Sequence, residues 1–120
     1  TFMVPTHYQA IFALEKPVLE RHRGGAPALR TMISNASALP QALKEKIVAY
    51  FGEGRLHEAY GFTEGGVVTN LRPRDQLRKI QCVGTLFACT SIRLIDEEGA
   101  EVAPGEVGEL HSRSPFLFNG

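Results

Sequence analysis

A chain of 120 residues, 43% apolar and 22% charged, has the composition of one modest globular unit with a small core, neither disordered nor membranous. Lysine plus arginine and aspartate plus glutamate balance at 13 each, which removes any general attraction to nucleic acid or anionic lipid, and no apolar run is long enough to span a membrane. Cys82 and Cys89 have no histidine at metal-ligand spacing, so they read as two small core residues in a reducing compartment, with a disulfide as the alternative. TFMVPTHYQA has neither an initiator Met nor a basic-then-apolar leader, which points to the cytoplasm.

The start, TFMV, reads as a short apolar strand. Thr6 followed by Gln9 reads as a capping box opening a helix through Tyr8, Ile11, Phe12 and Leu14. KPVLERHR is a second short helix stopped by Gly24 and Gly25, with Ala26-Pro27 as a connecting turn. LRTMISNAS supplies a strand, and Pro40 opens a helix with Leu43, Ile47, Tyr50 and Phe51 on one face, Lys44, Glu45 and Lys46 facing out, and Gly52 as its stop. RLHEAYGF is the next strand. VVTNLR, SIRLI and GELHSRS are further strands without intervening helices, the last two joined by the turn-rich DEEGAEVAPGEVG. The predicted fold is α/β: a mixed sheet with flanking helices, a βαβαβ N-terminal part followed by antiparallel strands.

The chemistry concentrates in YGFTE, at the end of a strand where α/β sheets present side chains to ligands. Tyr60 offers a flat face for a base, Gly61 lets a ligand approach the backbone, Thr63 offers a hydroxyl to a phosphate oxygen, and Glu64 is a hard oxygen ligand suited to Mg²⁺. On residue types alone, a turn with a helix-capping threonine and a solvated glutamate is the favoured reading.

YGFTE, with ISNASALP before it and GELHSRSPFLFNG after it, resembles the adenylate-forming (AMP-binding) superfamily of acyl- and aryl-CoA ligases, peptide-synthetase adenylation domains and firefly luciferase. VPT at Val4-Pro5-Thr6 and IRLIDEEGAEVAPGEVGEL resemble further parts of the same pattern, so the likeness covers essentially the whole chain. The resemblance implies that Tyr60 stacks on the adenine of ATP, Thr63 hydrogen-bonds the α-phosphate and Glu64 holds Mg²⁺. It implies that Asn35, Ala36 and Ser37 line the nucleotide and acyl pockets, and that Gly65 and Gly66 leave room beside a substrate carboxylate. Asn35 replaces the family's usual glycine, with left-handed backbone expected there.

The activity implied is that of an acid–thiol ligase in fatty or aromatic acid metabolism: a small carboxylic acid is activated by ATP and Mg²⁺ as an acyl-adenylate and passed to coenzyme A. Alternatives are an adenylation domain that loads a carrier protein, a luciferase-like enzyme, or a non-catalytic nucleotide-binding or assembly module. The family's phosphate loop ending in lysine, its ribose-binding aspartate and its lysine-bearing C-terminal domain have no counterpart here. With the opening on Thr1 and the end in FLFNG, this gives the expectation of an internal section of a large N-terminal domain: residues 1–120 as one partial domain, 1–66 an αβ layer with the nucleotide motif, 67–120 strand-rich. Such a piece is expected to be inactive alone and to self-associate. His7, His22, His57 and His111 are assigned no catalytic role, and RPRDQLRK reads as a solvated connection.

Overall fold

The computed structural model describes residues 1–23 and 28–118; the expected stop at Gly24 and Gly25 and the Ala26-Pro27 turn lie outside them. In chain order the elements are β1 (Phe2–Met3), α1 (Pro5–Phe12), α2 (Lys16–Arg21), β2 (Met32–Ser34), α3 (Gln41–Phe51), β3 (Leu56–Phe62), β4 (Gly66–Leu71), a 3-10 turn at Pro73–Asp75, β5 (Thr85–Leu86), β6 (Ser91–Ile95) and β7 (Glu109–Arg113). The first five strands form one mixed sheet in the order β1-β2-β3-β4-β5, while β6 and β7 form a separate two-stranded sheet. β1, β2 and β3 pair in parallel; β3-β4 and β4-β5 are antiparallel. Helical crossovers between the first three strands allow the parallel part, and the short turn after Phe62 forces the switch to antiparallel pairing. The α/β class, the mixed sheet and its order of parallel then antiparallel strands match the sequence reading.

The core lies between the sheet and its helices. Tyr8 of α1 and Leu43, Ile47 and Phe51 of α3 pack with Met32 and Leu56, which face each other in the β2-β3 register, and with Leu39. Each such side chain contributes about 1.5–3 kcal/mol when fully buried. Phe12, Tyr50 and Phe51 meet edge-on or tilted, and the Tyr50 hydroxyl donates to the Leu19 carbonyl at 2.9 Å, fastening α2 to α3. Farther along, the Gln76 amide donates to the Leu71 carbonyl at 3.0 Å and the Thr69 hydroxyl to the Val83 carbonyl at 2.7 Å, holding the β4-β5 connection against the sheet.

Several local expectations are corrected. Helix α1 starts at Pro5 with Val4 as its N-cap, and Thr6 caps nothing; the Val4 N–H instead donates to His7 Nδ1 at 3.3 Å. Proline at the first helical position, needing no N–H partner there, moves the start ahead of the threonine. Lys44 does not face out: it is 3% exposed, with Nζ 2.5 Å from Glu58 Oε1, close but off the line of a hydrogen bond. Cys89 is exposed, so it is no core residue, and Cys82 is half-buried; both thiols are free. Among the described residues no helix is long and apolar enough to cross a membrane.

The Cα radius of gyration, 16.9 Å, exceeds the value of about 14 Å for a compact chain of this length.

Candidate active-site cleft

β2 ends at Ser34, and the chain runs through Asn35–Leu39 before α3 begins at Gln41. This loop turns sharply because Ala36 adopts φ 74° and its N–H is taken by the Asn35 side-chain oxygen. The left-handed residue is therefore Ala36, and the Asn35 side-chain oxygen accepts from the next residue's N–H. The loop faces the middle of β3 across a cleft of about 370 Å³, with Ser34 and Asn35 to Ala38 on one side, Glu58 to Gly61 on the other, and Val83 at the edge. The structure thus brings Asn35, Ala36, Ser37, Tyr60 and Gly61 together from two segments far apart in sequence. Tyr60 is 39% exposed, so its ring lies open to an incoming ligand.

Gly61 is needed here for a reason the sequence did not reveal. The β3-β4 register shifts between Tyr60 and Gly61, and a Cβ at Gly61 would collide with the Gly66 carbonyl oxygen. Only glycine permits this bulge next to the cleft.

Thr63 and Glu64 do not line the cleft. They are exposed at the tip of the β3-β4 hairpin, in a turn closed by Gly65 N–H donating to the Phe62 carbonyl at 3.2 Å, and no helix follows for Thr63 to cap. The segment after β7 returns to this turn: Phe118 N–H donates to the Glu64 carbonyl at 3.0 Å, and the Ser114 hydroxyl reaches the Gly65 carbonyl at 3.5 Å, the outer limit of a hydrogen bond. Gly65 is buried against the Phe62 ring, and Gly66 carries φ 68° with Phe116 beside it, so both glycines serve the turn and its packing.

Ser34 and Glu58 were missed by sequence reasoning. They are partners in the β2-β3 register and both line the cleft; only the parallel register places them side by side. His7 is exposed at the start of α1, while His57 Nδ1 lies 3.3 Å from Asn70 Oδ1 and His111 3.6 Å from Glu109. In RPRDQLRK, a hydrogen bond from Arg78, then the charges of Arg78, Arg74 and Lys79, hold the Asp75 carboxyl below its ordinary range. Arg74 and Arg78 pair with Asp75, and none of these residues lines the cleft.

The comparison that decides the family is a match over residues 1–120 to the profile described as AMP-binding enzyme. The chain belongs to that family. Relatives in the AMP-binding enzyme family include a probable CoA ligase, CCL8, of Humulus lupulus, 36% identical over 96% of this chain and 19% of its own length. An uncharacterized acyl-CoA ligase, YhfT, of Bacillus subtilis (strain 168) is 32% identical over 74% of this chain and 19% of its own. Among solved structures, the anthranilate CoA ligase AuaEII, in complex with anthranoyl-AMP, superposes with a TM-score of 0.77 at 28% identity, covering 97% of this chain and 21% of that one. The chain spans about a fifth of the length of these relatives. The mixed five-stranded sheet with its separate antiparallel pair of strands is thus the AMP-binding enzyme fold, in line with the resemblance read from YGFTE and ISNASALP.

Proposed function

We propose that this chain is an internal section of an ATP-dependent acyl- or aryl-CoA ligase and forms the adenine, α-phosphate and magnesium side of its active site. The observation that carries this reading is the cleft: the Asn35–Ala38 loop and the exposed ring of Tyr60 face each other across a space suited to a flat ligand. The relatives named as CoA ligases, and the one bound to anthranoyl-AMP, support it.

In this reading Tyr60 stacks on adenine, Gly61 next to it leaves room for approach to the backbone, and Asn35, Ala36 and Ser37 shape the opposite wall. The Thr63 hydroxyl donates to an α-phosphate oxygen at the hairpin tip, offsetting charge that grows as a carboxylate attacks and pyrophosphate departs. Glu64 is exposed, and among the described residues no group of three His, Cys, Asp or Glu could hold a metal alone. A Mg²⁺ would be held on the protein side by the Glu64 carboxylate, a hard oxygen donor that suits that ion. Such an ion would supply neutralisation of phosphate charge. A thiol then attacks the acyl carbonyl, the acyl–phosphate bond breaks and AMP leaves; the CoA-ligase relatives favour coenzyme A as that thiol, and a small carboxylic acid is the other substrate.

The test uses the full-length protein that carries this chain. Glu64→Gln should lower ATP–pyrophosphate exchange at saturating ATP and Mg²⁺ by about 100-fold or more, with a smaller loss of ATP binding. Undiminished exchange would sink the magnesium assignment.

A further inference from the structure

Thr69 of β4 is the direct register partner of Tyr60 on β3, and side chains directly opposite each other in an antiparallel pair share one face of the sheet. Thr69 is 4% exposed. Its hydroxyl leaves the strand ladder and donates to the Val83 carbonyl at 2.7 Å, and Val83, 50% exposed, forms the edge of the cleft that Tyr60 also lines. Among the described residues the β4-β5 ladder pairs Thr69 with Leu86 and Asn70 with Thr85, and does not reach Val83. Residues 82–84 are held by other means. A Cβ at Gly84, whose φ is 93°, would collide with the Asn70 carbonyl and the Leu71 nitrogen, so this backbone lies directly on β4, and the Gly84 N–H donates to Cys82 Sγ at 3.3 Å. Close approach at Gly84 sets the depth of the segment, and the Thr69 bond sets where Val83 stands relative to Tyr60.

We propose that Thr69 is a positioning residue: its hydroxyl fixes the Val83 side chain at a set spacing from the Tyr60 ring, so that these two groups bound the space a flat ligand enters. This rests on the nucleotide reading above. Thr69 itself does not line the cleft and acts through Val83. The spacing of the walls serves bound substrate and transition state alike, so its loss raises KM and leaves kcat in place.

The experiment measures ATP–pyrophosphate exchange by the full-length protein as a function of ATP, for the wild type, Thr69→Ser, Thr69→Val, Val83→Ala, Thr69→Val with Val83→Ala, and Tyr60→Ala. Thr69→Val should raise the KM for ATP about fivefold, the worth of one neutral hydrogen bond, with kcat unchanged. Thr69→Ser keeps the hydroxyl and should keep the wild-type KM. Val83→Ala should raise KM as well, and the double variant should be no worse than the poorer single one, because Thr69 acts only through that side chain; two unrelated structural losses would add. A folded Thr69→Val with the wild-type KM, a loss in kcat in its place, or additive losses in the double variant overturns the proposal. Val83 is exposed, so Val83→Ala reads the same wall even where Thr69→Val does not fold, and a wild-type KM there overturns the proposal too. If Tyr60→Ala also keeps the wild-type KM, or the wild type shows no exchange, the nucleotide reading itself falls and this inference with it; a raised KM in Tyr60→Ala beside an unchanged Val83→Ala overturns this inference alone.

Discussion

Gly61 and Gly66 face each other across the β3-β4 bulge so closely that the carbonyl oxygen of one occupies the place a Cβ on the other would need. The obstructing atom is backbone and can yield only by moving the strand. Gly61→Ala should therefore cost about 1–3 kcal/mol of stability, the usual range for forced overpacking. At Gly65 the clash is with the far end of the Phe62 ring, which can rotate away, so Gly65→Ala should cost less. Urea denaturation of both variants in the full-length protein checks the order; equal losses would refute the bulge argument.

Tyr8 is fully buried, its hydroxyl has no partner among the described residues, and burial pushes its phenol from 10.0 up to about 12. A raised folded pKa means that the unfolded chain ionises first. The contribution of Tyr8 to stability is thus whole below pH 10 and is lost as pH climbs toward 12. Tyr8→Phe removes both the unsatisfied hydroxyl and this titration, so it should match or exceed the wild type near neutrality and lose less stability between pH 10 and 12. Melting temperatures across that range decide it.

Stacking by Tyr60 predicts a division between ring and hydroxyl. Tyr60→Phe should leave the KM for ATP near the wild-type value, while Tyr60→Ala should raise it about 10- to 100-fold, the typical worth of one base on one aromatic ring. The KM for the carboxylic acid should move less. Equal effects of the two substitutions would show that the hydroxyl, not the ring face, meets the ligand.

The elements were legible because their signals are local: helical spacing around Ile47, glycine at 52 and strand runs such as SIRLI depend on nearest neighbours along the chain. The fold class and the YGFTE and SNASALP segments were legible for the same reason. Lys44 was misread, although with Ile47 and Phe51 it follows the i, i+3, i+7 stripe that α3 buries; its charge argued for solvent, and its partner lies on a strand that only the tertiary fold brings near. Ser34 and Glu58 escaped for a related reason, since their adjacency belongs to the register of two strands and to neither strand alone. The 3-10 turn and β5, a strand of two residues, carry too few residues for any periodicity.

The 120-residue chain prepared by itself should self-associate and should not turn over substrate. Among the described residues β1 pairs only with β2, and β5 only with β4, which leaves a hydrogen-bonding edge on each side of the five-stranded sheet. Phe2 on β1 is 62% exposed, and Phe116 and Phe118 at the opposite end of the chain are 60% and 62% exposed. Phe2 on the open β1 edge, and the exposed rings of Phe116 and Phe118 beside the β3-β4 turn, are apolar surface that a second copy can cover. Sedimentation equilibrium at about 10–100 µM, where exposed edges associate, should show dimers or larger species; a monodisperse monomer would contradict it. Catalysis should be absent for a separate reason. Tyr60, Thr63 and Glu64 offer one ring face, one hydroxyl and one carboxylate, too few contacts to offset the cost of ordering a triphosphate. No ATP-dependent release of pyrophosphate should therefore be seen with any carboxylic acid, and turnover by this chain alone would place the chemistry in residues other than these three.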